Sequence, residues 1–179
     1  MHIALLRGIN VGGNKMIAMA DLRDLLTNLG FAGARSLLQS GNLVFHGDRR
    51  TPAQLETLLA AETEKRLGVQ ADVFVRTASE LAEVVARNPF AEEAKRDPSH
   101  LLVMFLKDVP DATAVAALNA AIIGREAVRV IGRHAYIAYP DGIGTSKLTG
   151  AVIEKKLGTR GTARNWNTVM KLSRLAGEE

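Results

Sequence analysis

The order of apolar patterns in the first 76 residues restricts the fold more than any other feature of the chain. Four short strand-like runs alternate there with two helical stripes, in the order β-α-β-β-α-β. This order predicts a ferredoxin-like unit, which is a split βαβ unit on an antiparallel sheet. The predicted strands span residues 3–6, 34–39, 43–46 and 72–76.

Turn and capping residues set the ends of these elements. The stripe within residues 22–29 stops at Gly30, which is typical of a helix C′ position. Thr51 and Pro52 open the second helix in the favoured order of cap and then proline. The residues Ser40-Gly41-Asn42 indicate a tight hairpin between the second and third strands.

The second half follows nearly the same order with a different sequence. Residues 101–106, 127–131 and 135–139 are predicted strands, and Gly132-Arg133 joins the last two in a turn compatible with type II′. Helices are predicted after the first of these strands and from about residue 148 to 157. A last helix, starting near Asn165, stands where a strand would complete the repeat. We therefore predict an α+β protein of two ferredoxin-like (alpha-beta plait) subdomains with antiparallel sheets, the second ending in extra helices.

The predicted boundary follows a third helix that ends before Asn88-Pro89, because proline biases its predecessor away from helix. Residues 91–99 are polar and charged, which is typical of a loop or linker. We expect a first subdomain with its connecting helix at residues 1–88, a linker at 89–99 and a second subdomain at 100–179.

Composition excludes several classes of protein. With 47% apolar and 23% charged residues, the 179-residue chain is typical of a globular protein. The formal charge of +4 favours anionic partners slightly. The chain has no cysteine, which excludes disulfides and thiolate chemistry. No stretch approaches the roughly 20 apolar residues that span a bilayer, so we expect a cytoplasmic protein with no membrane partner.

The stretch RGINVGGNK, residues 7–15, follows the first strand and is the first candidate site. Gly8 and Gly13 have Walker spacing, but the lysine comes one place late and no hydroxyl follows it. The dinucleotide fingerprint also fails, because no two glycines here stand two apart. Gly12 and Gly13 can instead adopt positive φ and present amides to an anion. The alternative is a glycine-rich turn with a solvated Lys15.

Topology assigns further residues to this site. In a β-α-β-β arrangement, the end of the first strand and the first hairpin lie at the same end of the sheet. Arginine, lysine and asparagine there would suit a phosphate, a carboxylate or an amide-bearing ligand. The residues predicted to meet are Arg7, Asn10, Gly12, Gly13, Asn14, Lys15, Ser40, Gly41 and Asn42.

A second candidate cluster lies near the C-terminus. Residues 144–176 contain seven lysines and arginines against one acid, Glu154. Asn165 or Thr162 is predicted to cap the last helix, whose Trp166 is expected in the core. Ser146 is expected to be a helix N-cap. The ligand-binding residues predicted here are Lys147, Arg160, Arg164 and Asn165.

Several of these motifs together carry a family resemblance. The segments ALLRGINVGGNK, QSGNLVF, SKL and RNWNTVMKL resemble a bacterial family of uncharacterised proteins, catalogued as domain of unknown function 1697. The resemblance runs over essentially the whole chain. It implies an α+β fold of two plait-like subdomains, and it implies no activity, cofactor or catalytic residue.

The remaining residues indicate no reaction. The four histidines are isolated in sequence and lack metal-ligand spacing, so no metal and no cofactor is predicted. No acid–base group stands out, which leaves enzymatic turnover open. The leading hypothesis is binding of a small anionic or phosphorylated ligand in a cleft lined by the two clusters. The alternatives are nucleic-acid binding through the basic C-terminal segment, which the 4% aromatic content disfavours, and a partner-binding or oligomeric adaptor.

Overall fold

The structure is a computed structural model that describes residues 1–10 and 16–178. Contacts divide the chain into two compact units. Unit 1 comprises Met1–Glu83 and Lys171–Glu179, and unit 2 comprises Val84–Met170. The predicted site residues Gly12, Gly13, Asn14 and Lys15 lie outside the described residues.

Unit 1 has the ferredoxin-like topology that the sequence pattern predicted. Its sheet has the order β2-β3-β1-β4, and every neighbouring pair is antiparallel. Strand β2 ends before Leu38, whose φ of +60° breaks the extended backbone. The elements are β1 His2–Leu6, α1 Met19–Asn28, β2 Ala32–Leu37, β3 Asn42–His46, α2 Pro52–Leu67 and β4 Val73–Thr77. Helix α3, Ala78–Ala86, follows β4 directly.

The core of unit 1 follows from the two periodicities in the sequence. Alternate strand residues such as Leu6, Phe45 and Val75 share one buried cluster with the helical residues Leu26 and Leu55. A fully buried side chain of this kind contributes about 1.5–3 kcal/mol through removal of its apolar surface from water. The caps also form as predicted, since Thr51 and Gln54 make a reciprocal capping box at the start of α2.

Unit 2 repeats the same sheet, in the order β6-β7-β5-β8 with antiparallel neighbours. The turn between β6 and β7 has positive φ at Gly132 and not at Arg133, as a type II′ turn requires. The elements are α4 Ala91–Arg96, β5 Leu101–Leu106, α5 Ala112–Ala120, β6 Ala127–Ile131, β7 His134–Ala138, α6 Gly150–Leu157 and β8 Gly161–Asn165. Helix α7, Trp166–Gly177, begins in unit 2, and its residues from Lys171 onward belong to unit 1.

Strand β8 corrects the prediction that a helix takes the place of the last strand. Residues 161–165 pair with β5 in regular register, from Leu106 opposite Gly161 to Leu102 opposite Asn165. The segment lacks β-branched or aromatic runs and therefore resembles a turn in sequence. Helix α7 begins only after the strand, so the second half completes the β-α-β-β-α-β order and then ends in a helix.

Two further local predictions were wrong. Residues 91–96, which were expected in a loop or linker, form the short helix α4. Ser146 does not cap α6. Thr149 does so, with its hydroxyl oxygen 3.3 Å from the amide nitrogen of Val152.

The duplication extends to individual backbone hydrogen bonds. In unit 1, the amide of Leu6 donates to Gly41 and the amide of Arg7 donates to Asp72, both at 2.8 Å. In unit 2, the two equivalent bonds are both 2.9 Å long. Leu106, the last residue of β5, donates to Arg133, and the next residue, Lys107, donates to Arg160. The end of each sheet is therefore built in the same way, with different side chains.

Candidate functional site

The loop end of unit 1 is the end of its sheet where β1 finishes and β3 and β4 begin. The structure brings Asn10 to the hairpin there. Arg7 directly follows β1 at the same end of the sheet, and its amide donates to the carbonyl of Asp72. Gly41 accepts the amide of Leu6, and the Asn10 side chain donates to the carbonyl of Gln39 at 2.8 Å.

Asn10 uses its whole side-chain amide to hold the backbone. Its Nδ2 donates to the carbonyls of Ile17 and Gln39, each at 2.8 Å, and its Oδ1 accepts the amide of Ile17 at 2.7 Å. Its φ of +55° is one that asparagine tolerates better than most residues. These contacts give Asn10 a structural role, in which its side chain joins Ile17 to the hairpin.

The hairpin residues also brace one another. Asn42 is fully buried, and its Nδ2 donates to the carbonyl of Leu37 at 3.0 Å and to the hydroxyl of Ser40 at 2.9 Å. Gly41 has a φ of +72°, and a Cβ at this position would lie 2.7 Å from the Ile9 side chain. Only glycine satisfies both the backbone conformation and this close approach.

Arg7 has a carboxylate neighbour that sequence analysis missed. Its Nη1 lies 3.9 Å from Oδ2 of Asp72, and both side chains are about one-third exposed. The two residues are far apart in sequence, so only the pairing of β1 with β4 reveals the contact. The carboxylate offsets part of the positive charge that an anion would meet at this end.

The predicted C-terminal cluster does not come together in one place. Arg160 and Arg164 stand four residues apart along an extended segment, which separates their backbones by about 13 Å. Arg164 is half-buried and donates to the hydroxyl of Thr162 and the carbonyl of Ala163, and burial lowers its pKa to about 10. Asn165 caps α7 by accepting the amide of Thr168 at 3.0 Å, as predicted.

Lys147 lies apart from both arginines in sequence and lines a cavity of about 390 Å³ within unit 2. The same cavity is lined by Ser146 and Glu126, whose side chains are hydrogen-bonded to each other. This hydrogen bond from Ser146 holds the pKa of Glu126 below its usual value.

The basic end of unit 2 consists of Lys107, Arg133 and Arg160. They flank three neighbouring strands: the amide of Lys107 donates to the carbonyl of Arg160, and the amide of Leu106, next to Lys107, donates to the carbonyl of Arg133. Two exposed lysines of the last turn of α6, Lys155 and Lys156, come shortly before Arg160 in the chain.

The carboxylates near the basic end already accept hydrogen bonds from the protein. Asp108 accepts the hydroxyl of Thr159 at 3.0 Å, and Glu154 accepts the amide of Gly161 at 2.7 Å.

A histidine–carboxylate pair in unit 2 was also missed. His100 Nδ1 lies 2.6 Å from Oδ2 of Asp97, and the hydroxyl of Ser99 donates to the other carboxylate oxygen at 2.6 Å. The sequence Asp97-Pro98-Ser99-His100 could have indicated this pair, because a carboxylate and a histidine stand three residues apart in it. The segment was predicted to be a linker, so the pair was not considered. Among the described residues, no group of three or more histidines or carboxylates is arranged to hold a metal ion.

These features define a two-unit α+β protein in which each unit has a ferredoxin-like sheet. The chain belongs to the family described as Protein of unknown function (DUF1697), whose model matches residues 1–136. It is similar in structure to the conserved bacterial protein SP0830 from Streptococcus pneumoniae, with 22% sequence identity and a TM-score of 0.76. That similarity covers 98% of this chain and 97% of the other, and it shows the shared fold.

No curated protein matches the sequence. Within the described part of the chain, no helix has both the length and the apolar character needed to cross a membrane.

Proposed function

We propose that the protein binds a small anionic ligand, such as a phosphorylated metabolite or a nucleotide, at the basic end of unit 2. The observation that supports this proposal most directly is the placement of Lys107, Arg133 and Arg160 next to the ends of three neighbouring strands, β5, β7 and β8. Neighbouring strands lie about 4.8 Å apart, so the three backbones fall within about 10 Å of one another. Arginine offers planar pairs of donors to phosphate, and lysine adds a compact charge.

Comparison of the two sheet ends explains the preference for unit 2. The duplicated hydrogen bonds make Arg7 equivalent to Lys107, and Asp72 equivalent to Arg160. Unit 1 therefore carries a carboxylate where unit 2 carries a guanidinium. An anion at the loop end of unit 1 would lie close to the carboxylate of Asp72, whereas the basic end of unit 2 offers a cation at that position.

The loop end of unit 1 stays an alternative position for the same kind of ligand. Asn10 and Asn42 use side-chain donors within the protein, so Arg7 is the described residue of that cluster best suited to contact an anion. The variants Arg7→Ser and Lys15→Ser test this alternative position. The role of Lys15 stays a prediction.

Nucleic-acid binding is the weaker alternative. RNA-reading sheets of this topology stack bases on exposed aromatic side chains. Every aromatic residue in the described strands is buried: Phe45, Phe74, Phe105 and Tyr136. Contacts to the nucleic-acid backbone alone would need the basic end and would depend steeply on salt.

Titration calorimetry with inorganic pyrophosphate and ATP, at low and high salt, tests the proposal. Replacing Arg160 by serine should weaken binding roughly tenfold, because one charge-assisted hydrogen bond is lost. Lys107→Ser and Arg133→Ser should act in the same direction. Lys65→Ser is the matched control, since it removes one exposed positive charge from α2 in unit 1.

The outcomes separate the alternatives. Unchanged affinity in all three variants of the basic end would refute the proposed site. A loss confined to Arg7→Ser and Lys15→Ser would move the site to unit 1. Tighter binding of single-stranded RNA than of ATP, lost at high salt, would favour the nucleic-acid alternative.

A further inference from the structure

His100 is held in one orientation by a carboxylate. The 2.6 Å contact to Asp97 requires a proton on Nδ1, because an ionised carboxylate only accepts hydrogen bonds. Hydrogen bonds from Ser99 and then from His100 hold the pKa of Asp97 below its usual value, so this carboxyl is ionised at neutral pH. In the neutral ring, Nε2 therefore carries the lone pair and can accept a proton.

The ring of His100 borders a cavity of about 260 Å³ in unit 2. Its side chain is 41% exposed, so a ligand can reach it. A Cβ at Gly142 would lie 3.9 Å from Nε2, which places this nitrogen beside the turn that follows β7. The cavity is closed on other sides by Tyr139 and by residues of α4.

Two guanidinium groups line the same cavity. Arg125 binds Asp141 through two of its nitrogens, one at 2.9 Å, and keeps further N–H donors. Arg96 is exposed and, within the described residues, makes no side-chain hydrogen bond or ion pair. Glu93 also lines the cavity, and its carboxylate offsets part of the positive charge of the two arginines.

We propose that this cavity is a second ligand site, for a small oxyanion that carries a hydroxyl, such as hydrogen phosphate or a protonated phosphate monoester. Arg96 and Arg125 bind its charged oxygens, and its hydroxyl donates a hydrogen bond to Nε2 of His100. Asp97 holds the ring in the tautomer that accepts this hydrogen bond. The site lies at the start of β5, whereas the basic end of unit 2 follows the last residue of that strand, so the two sites are separate.

Carbethoxylation by diethyl pyrocarbonate tests both parts of this assignment. The lone pair of Nε2 attacks a carbonyl carbon, a nitrogen–carbon bond forms, and ethyl carbonate leaves and decomposes to ethanol and carbon dioxide. Peptide mass spectrometry measures the rate at each histidine. His46 is the internal control, because it is exposed and has no carboxylate partner among the described residues.

We expect His100 to react faster than His46. Asp97→Asn should slow His100 roughly fivefold, as expected for the loss of one hydrogen bond of ordinary strength, and leave His46 unchanged. Ser99→Ala, which keeps the carboxylate, should have a smaller effect. Circular dichroism checks that the variants are folded.

Inorganic phosphate is the probe for the oxyanion. It should protect His100 against carbethoxylation at constant ionic strength set with sodium chloride, and Arg96→Ser should remove the protection. His134, next to Arg133 in the chain, reports on the basic end in the same experiment. Protection of His134 alone would support the proposed function and overturn this inference. A His100 rate no faster than that of His46, or no protection by phosphate, would also overturn it.

Discussion

The side chain of Asn10 allows a quantitative test of the loop end of unit 1. It makes three hydrogen bonds to Ile17 and Gln39 and holds a backbone φ of +55°. A hydrogen bond of this kind contributes about 1 kcal/mol, and the partly exposed partners recover some of this from water. Removal of all three should therefore lower the free energy of unfolding by about 2 kcal/mol.

Three substitutions at Asn10 separate the contributions. Asn10→Gly keeps the positive φ and loses the hydrogen bonds, so it should cost about 2 kcal/mol. Asn10→Ala also forces a side chain into the left-handed region and should cost about 1 kcal/mol more. Asn10→Asp is isosteric but places a carboxylate oxygen against the carbonyls of Ile17 and Gln39, and should cost at least about 2 kcal/mol.

Urea denaturation followed by circular dichroism measures these differences. Thermal unfolding should show midpoints lowered by roughly 4–12 °C across the series, given the usual scaling for chains of this length. If Asn10→Asp stays within about 0.5 kcal/mol of the parent protein, the hydrogen bonds do not stabilise the fold and the structural role of Asn10 is wrong. Equal stability of the glycine and alanine variants would refute the argument from backbone conformation.

Three other predictions concern single sites. Gly41→Ala should lower the free energy of unfolding, measured by urea denaturation, far more than Gly68→Ala. Both glycines have positive φ, but only at Gly41 would a Cβ lie 2.7 Å from a neighbouring side chain. Equal losses of stability in the two variants would contradict this. Burial raises the pKa of Tyr136 and Tyr139 to about 12, so absorbance at 295 nm should show no phenolate step near pH 10 in the folded protein, and stability should fall as pH rises from about 10 to 12. Thr149→Ala should lower stability by about 1 kcal/mol through loss of the α6 cap, and an unchanged urea midpoint would refute the capping role.

The fold was largely predictable because local signals agreed with the tertiary structure. Helical periodicity, the cap and proline at Thr51 and Pro52, and the glycines at turns are local signals that span only a few residues. They were sufficient to predict both sheets except for β8. That strand was missed because its stability comes from pairing. Gly161 suggests a turn in the sequence, but in the structure it lies in β8. Glycine is needed there for close packing, because a Cβ would lie 2.9 Å from Met104.

The site was less predictable because its important contacts join distant residues. Sequence topology predicted that Arg7, Asn10 and the hairpin share one end of the sheet, and the structure brings Asn10 to the hairpin. It gave no indication that Asp72 would stand beside Arg7, or that Asn10 would use its amide on the backbone. Only strand register shows that Lys107 and Arg160 are neighbours, although they are far apart in the chain.

The division of unit 1 into two sequence segments has a consequence for synthesis. The side chain of Arg35 on β2 donates to the carbonyl of Leu175 at 2.6 Å, and both residues belong to unit 1. A ribosome makes the first 83 residues, then all of unit 2, and only afterwards the segment that contains Leu175. Unit 2 is continuous and can fold as it emerges. The sheet and the buried cluster of unit 1 come from its first segment, so the contact between Arg35 and Leu175 is expected to form last, on a core that is already synthesised.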